Sequence, residues 1–399
     1  MNLTAILLIA FLFFAYSLVS RKIASSVLTP PMIFTAAGLL IAKLQPAIFG
    51  GTIEHSFVHL LAELTLIFVL FTDAAAIDAS SLKKDYGLAT RMLTIGLPVT
   101  ILVGAFTAFF VLGVFSIWEC ALLAAILAPT DAALGQSVVS SKIVPERIRQ
   151  TISVESGLND GLCLPLVLMF AGAAAMSQSE PAELVRFTVL QVSLGPIAGV
   201  VVGFLGAKLI DLAVDKKAIS GSMEGIAALC VSLGAFGIAE SIHGNGFIAA
   251  FVAGLTFGAV LRHRCKFLYE FAESEGRFFT LSTFLIFGAV AMHLIGDTFQ
   301  WSYVIYAFLS LTVVRMIPVV LSLIGTDTDF TSKVFLGWFG PRGLASILFA
   351  LLIIERQHIA GAQGIISVVV ITVLLSVLLH GLSAAWLSKK LGEFLEGRD

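Results

Sequence analysis

Polar positions are sparse along this chain and return at a regular interval. Between them lie apolar runs at about 3–20, 28–44, 57–77, 87–115, 119–140, 151–176, 184–212, 223–241, 246–262, 278–296, 302–324, 332–354 and 364–387. Each approaches the ~20 residues an α-helix needs to cross the hydrocarbon core of a bilayer. The pattern therefore predicts an all-α polytopic membrane protein with about thirteen transmembrane helices, called spans 1–13 below. No basic stretch precedes the first run, and Arg21 and Lys22 follow it instead. That order predicts a retained first helix rather than a cleaved signal peptide.

Composition agrees with the pattern. Of 399 residues, 58% are hydrophobic and only 13% charged, with a mean hydropathy of +1.00; soluble domains carry about 25% charged residues. The net charge of −2 and the lack of a basic tract give no reason to expect nucleic acid. Cys120, Cys163, Cys230 and Cys265 are scattered without paired spacing, so neither a zinc site nor a disulfide framework is indicated, and no cofactor is expected. The tail after about residue 387 is too short to bind a nucleotide.

The basic residues test the count. Connections after odd-numbered spans, with the C-terminal tail, carry nineteen Lys and Arg; connections after even-numbered spans carry Lys43, Arg186 and Arg356 alone. Positive charge is retained on the cytoplasmic side, which predicts an outside N-terminus and a cytoplasmic C-terminus. The two remaining basic residues, Arg315 and Arg342, fall inside spans 11 and 12.

Spans 5 and 12 are interrupted, by Ala128-Pro129-Thr130-Asp131 and by Gly340-Pro341-Arg342-Gly343. Proline removes a backbone donor and crowds the preceding turn. The breaks occupy the fifth position of spans 1–6 and of spans 8–13, with span 7 between, which predicts two repeats of inverted orientation. Matched interrupted helices of that kind mark the midplane site of a transporter.

Span 6 opens with Thr151-Ile152-Ser153-Val154-Glu155-Ser156-Gly157-Leu158-Asn159-Asp160. Ionisable groups at membrane depth cost about 2.5–3.5 kcal/mol even on lenient scales and mark function. Helical spacing sets Ser156 and Asp160 in one column and Glu155 with Asn159 in the next. Asp131 begins the second half of span 5, where a helix N-terminus favours an anion, and the carbonyls freed around Pro129 and Thr130 are available to a cation. Arg342 stands at the matching break and is suited to neutralising exposed helix C-termini. Asp131, Glu155, Asp160, Arg315 and Arg342 sum to −1, a deficit that one proton or one monovalent cation fills. Hard oxygens suit alkali or alkaline-earth ions over copper or zinc. Glu155 is expected to pair with an arginine rather than bind the ion, and Asn159 either lines the site or cross-links helices. Asp160 has no partner nearby in sequence. Asp73, near the end of span 3, is a boundary residue or an acid close to the site. Glu63 has no role in this scheme, and the histidines, His293 among them, are expected at the interfaces. Gly195, Gly199 and Gly203 form a small-residue stripe on span 7, fit for an intramolecular seam or for a dimer contact.

Together, Ala128-Pro129-Thr130-Asp131, Val144-Pro145-Glu146-Arg147 and Val154-Glu155-Ser156-Gly157-Leu158-Asn159-Asp160-Gly161 resemble the signature of NhaP-type sodium/proton antiporters, in the monovalent cation:proton antiporter family. The resemblance implies a core bundle of residues 87–177 and 298–390 (spans 4–6 and 11–13). It implies an interface domain of residues 1–86 and 178–297 (spans 1–3 and 7–10), with a short tail at 391–399. It further implies a homodimer and an elevator-like core movement in a bacterial-type inner membrane. Asp160 would be the essential ion- and proton-binding carboxylate, with Asp131, Ser156, Thr130 and Asn159 completing the site for Na+, or for Li+ or K+. Glu155 would pair with Arg315 in preference to Arg342, and Asp73 would lie on the cytoplasmic side of the site. Relatives often carry glycines where Ala74 and Ala75 follow that acid. The Asn-Asp pair is similar to the electroneutral branch. A proton-coupled organic solute carrier and an intramembrane aspartyl enzyme using Asp131 and Asp160 are the alternatives; no GxGD motif supports the latter.

Overall fold

The structure is a computed structural model that describes residues 3–24, 26–44, 55–76, 82–175, 181–262, 275–296, 299–357 and 359–396. Among these residues all regular structure is helical. Helix α1 (Leu3–Ala24), α2 (Pro30–Leu44) and α3 (His55–Ala76) lie on spans 1–3. Span 4 is built from α4 (Leu82–Arg91), a π-helical turn (Met92–Gly96) and α5 (Leu97–Leu112). Span 5 is α6 (Ile117–Ile126) and α7 (Ala132–Val139), and span 6 is α8 (Glu146–Ala175). Spans 7–10 carry α9 (Pro181–Asp215), α10 (Gly221–Ser241), α11 (Gly246–Val260) and α12 (Glu275–Ile295). Span 11 divides into α13 (Trp301–Leu311) and α14 (Val313–Ser322), span 12 into α15 (Phe330–Trp338) and α16 (Leu344–Gln357), and span 13 is α17 (Ala362–Glu396). Seven described helices are long and apolar enough to cross a membrane by themselves, from Gly87–Leu112 to Ala362–Glu396, and three shorter apolar ones accompany them.

Two irregularities fall in spans that were expected to be continuous, a π turn in span 4 just before Pro98, which has no N–H for the Thr94 carbonyl, and a break at Thr312 in span 11, six residues before Pro318. At both irregularities a threonine also bonds back one turn, Thr94 Oγ1 to the Thr90 carbonyl and Thr312 Oγ1 to that of Phe308, both at 2.7 Å, as Thr107, Thr256 and Thr372 do in uninterrupted helices. Helix α17 also outruns its predicted end at 387. Ser388, Leu391 and Gly392 are buried, Gly392 against Ile143, so residues 391–396, read from sequence as tail, are a packed helical turn.

Buried apolar side chains form three clusters. The smallest joins Phe71 of α3 to α9, α10 and α11. A second, on the face that carries Arg91, Arg147 and Lys389 (the basic face), draws only on spans 4–6 and 11–13: Leu88, Met92, Val138, Ile148, Ile152, Leu323, Phe335 and Leu391 are among its members. The largest, toward the opposite face, mixes both sets, with Phe34, Leu66, Phe247, Phe251 and Phe284 against Leu123, Leu164, Val167 and Leu348. Phe11, Phe106 and Leu209 are more than 60% exposed, as side chains facing lipid tails would be.

The span 7 glycines serve an intramolecular seam. A Cβ added at Gly195, Gly199 or Gly203 would lie 2.5–2.9 Å from the carbonyl oxygens of Asn245, Ala249 and Ala253 on α11. Only hydrogen at those positions lets the two backbones meet.

Candidate ion-binding site at two crossed helix breaks

Residues 127–131 interrupt span 5 and 339–343 interrupt span 12, and the two unwound segments lie against each other. Each supplies what the other lacks. The Asp131 amide donates to the Pro341 carbonyl at 2.8 Å. One Asp131 carboxylate oxygen caps α7, accepting from the Leu134 amide at 3.0 Å, and the other accepts from the Leu344 amide at 2.6 Å. A single acid thus satisfies orphan donors at two helix N-termini, where the backbone dipoles favour negative charge. Arg342 answers it from the other break. Its guanidinium donates to the Ala128 carbonyl and, at 3.0 Å, to that of Pro129, neutralising the C-terminal end of α6. Gly343 is required here, because a Cβ would overlap the Asp131 carboxylate.

The Pro129 carbonyl, expected from sequence to be open to a cation, is therefore held by Arg342. Beneath Arg342 its amide donates to Ser376 Oγ at 2.7 Å, Ser376 contacts His380 Nδ1 at 3.2 Å, and His380 Nε2 donates to the Trp338 carbonyl at 2.9 Å. This buried Ser376–His380 support escaped the sequence reading, which set the histidines at the interfaces. A further missed element is legible in Ser116-Ile117-Trp118-Glu119, a capping-box spacing. Ser116 and Glu119 cap α6 reciprocally, and Glu119 also accepts from the Gly361 amide at 2.7 Å, joining spans 5 and 13.

Helix α8 runs beside the crossing with its polar residues on adjacent faces. Glu155 is 1% and Arg315 0% exposed, and Arg315 Nη2 reaches both Glu155 oxygens, at 2.6 and 2.7 Å. Of the two intramembrane arginines, the partner of Glu155 is thus Arg315, on α14. Thr130 Oγ1 accepts from Asn159 Nδ2 at 2.7 Å and shares a hydrogen with Ser156 Oγ at 2.9 Å. Asn159 is consequently both a cross-link between spans 5 and 6 and a bearer of a buried carbonyl oxygen, Oδ1, that has no hydrogen-bond partner. Asp160 differs from the other acids. It is half-buried, its Oδ1 is out of solvent contact, and no donor meets that oxygen. The acids whose charges bear on it are Asp73, half-buried on α3, and Asp131. No group of three or more His, Cys, Asp or Glu side chains that suits a metal ion occurs among the described residues. The oxygens at the crossing are hydroxyl, amide and carboxylate, a set for a hard ion of low charge.

A family model described as the transmembrane sodium/hydrogen exchanger matches residues 7–390. The chain belongs to the sodium/hydrogen exchanger family. Among curated relatives, the K(+)/H(+) antiporter NhaP of Alkalimonas amylolytica is 25% identical over 361 residues, which cover 88% of this chain and 60% of that protein. The Na(+)/H(+) antiporter NhaP of Pseudomonas aeruginosa is 25% identical over 348 residues, covering 81% and 79%. The chain spans 60% of the length of the first of these relatives. A solved structure of the sodium proton antiporter MjNhaP1 from Methanocaldococcus jannaschii at pH 8 superposes with a TM-score of 0.76 over 98% of both chains, at 21% identity. The likeness extends to the whole helical architecture, so this exchanger-family chain has that fold.

Proposed function

We propose that this chain exchanges a monovalent cation, Na+ foremost with Li+ and K+ as alternatives, for protons across a membrane. One observation carries the reading. Of the three acids at the crossed breaks, Glu155 is tied to Arg315 and Asp131 to the Leu134 and Leu344 amides, while Asp160 keeps a buried oxygen without a protein donor. With Glu155 and Arg315 cancelling, and Asp131 balanced by Arg342, Asp160 is left as an uncompensated charge. A half-buried carboxylate at membrane depth with a sealed, donorless oxygen takes a proton or a cation, because leaving it bare is costly.

A bound cation would take oxygens from Asp160, Asp131, the Thr130 carbonyl, the Ser156 hydroxyl and Asn159 in place of water. Hydroxyls carry two acceptor lone pairs and one movable hydrogen, so Thr130 and Ser156 can turn from bonding each other to facing an ion. Protonation of Asp160 removes the charge that holds the cation, and the two ligands compete for one site. That competition couples their gradients, and one charge for one charge makes the exchange electroneutral. Asp73, half-buried on α3 with its charge bearing on Asp160, is read as an acid that draws cations toward the site from the basic face.

Alternating access fits a core of spans 4–6 and 11–13 that moves as an elevator against spans 1–3 and 7–10. The separate apolar cluster confined to the core on the basic face supports two bodies. Inverted repeats of spans 1–6 and 8–13, thirteen crossings in all, are supported by the paired irregularities in spans 4 and 11 and the paired breaks in 5 and 12. The close packing of span 2 on span 10 and of span 9 on span 3 adds to that support. The working protein is read as a homodimer in a bacterial-type inner membrane, N-terminus outside. Everted vesicles with a pH-sensitive dye test the reading: added Na+, Li+ or K+ should dissipate a preformed proton gradient. The ranking of the three ions gives the substrate, and absence of any response to all three would refute the proposal.

A further inference from the structure

Along α8, residues 153, 157, 160, 164, 167 and 171 share one face. Ser153 is exposed, Gly157 and Asp160 are half-buried, and Leu164, Val167 and Ala171 are sealed. Access along this face therefore ends at Asp160. What ends it comes from another helix. Phe251 of α11, itself buried, lies directly over Gly161, and a Cβ on Gly161 would overlap its ring. Phe247 and Ile248, on the same helix, are buried in the one apolar cluster that also holds Leu164 and Val167. On the basic-face side the buried apolar cluster of spans 4–6 and 11–13 takes in no residue of spans 1–3 or 7–10.

From this we propose that Phe251, seated in the notch at Gly161, is the gate residue that closes the Asp160 site on the face opposite the basic one. The inference rests on the exchange reading above and adds a positioning residue to it. An aromatic ring on the backbone of the residue after Asp160 leaves no room for a hydrated ion. A dry apolar constriction also excludes ions by dewetting. The pairing spans the two bodies, because Gly161 belongs to α8 and Phe251 to α11. It must break whenever the core moves, so the absence of a side chain at 161 is what lets the closed state form and release.

Two measurements test this. In purified full-length protein, Leu164→Cys places a thiol just past the ring. Its modification by a cationic methanethiosulfonate, read by peptide mass spectrometry, should be at least tenfold faster when Phe251→Ala is added. Equal rates with and without the ring overturn the proposal, as does fast labelling of Leu164→Cys alone. This readout needs no transport, so it stands apart from failure of the exchange reading, which would show as no cation response in otherwise gated protein. Independently, Gly161→Ala should slow cation-driven proton flux in proteoliposomes at least tenfold, and adding Phe251→Ala should recover at least a third of it. A monodisperse double variant that recovers nothing overturns the proposal.

Discussion

Removing one end of the Glu155–Arg315 pair is the sharpest stability perturbation this structure offers. Both residues are essentially without solvent contact, and Arg315 Nη2 reaches both oxygens of Glu155. Arg315 Nε and Nη1 have no other hydrogen-bond partner, so Glu155→Gln leaves a buried guanidinium with one amide acceptor and no counter-charge. Breaking a buried pair from one side costs about 3–5 kcal/mol, a factor of roughly a hundred to several thousand in the folded ratio. At about 2 °C per kcal/mol for a large domain, the thermal midpoint in detergent should fall by about 6–10 °C, followed by tryptophan fluorescence. Arg315→Met should fall similarly. The double variant should be more stable than either single one, because no uncompensated charge remains. If the singles match the parent, or if their effects simply add, the pair is not what fastens span 6 to span 11.

Three further outcomes follow from the crossed breaks and the basic face. Arg342→Ala leaves the Ala128 and Pro129 carbonyls without a donor and should cost about 3 kcal/mol or more, with exchange lost; thermal unfolding and the vesicle assay check both. Gly343→Ala drives a methyl into the Asp131 carboxylate and should abolish exchange, whereas Gly221→Ala, where nothing lies within 4 Å of the added carbon, should leave it intact. On the basic face, Arg147 holds exposed Asp327 by two hydrogen bonds of 2.9 Å and lowers its carboxyl below the ordinary 3.8. Its contribution is therefore complete above that value and lost as pH falls below it, so the stability advantage of the parent over Asp327→Asn should vanish in acid, as unfolding scans across pH would reveal.

The breaks themselves were legible, because Pro129 and the Gly340–Gly343 segment cannot continue a helix. Their crossing was not. Local reasoning gave Asp131 its own half-helix and left the freed carbonyls to a cation; only tertiary placement brings Leu344 to Asp131 and Arg342 to Pro129. Glu155 shows the same limit, since two buried arginines were available and sequence spacing does not choose between them. The π turn of span 4 had a visible cause in Pro98, which has no N–H for the Thr94 carbonyl, whereas the break at Thr312 lies too far before Pro318 to be placed from the sequence. The glycine stripe on α9 was visible as a close-packing surface, but its partner, α11, was a matter of where the chain returns. Ser116 and Glu119 carried a readable cap whose second bond, to Gly361, was again a long-range fact.

The central claim is that the two acids of α8 have parted company, Glu155 holding the structure and Asp160 holding the ion. Asp160→Asn tests it most directly when cation-driven proton flux and thermal midpoint are measured on one preparation. The account predicts that flux disappears while the midpoint holds or rises, since a half-buried charge whose sealed oxygen has no donor is removed. An Asp160→Asn protein that still exchanges, or one that loses flux only because it unfolds as Glu155→Gln should, would contradict it.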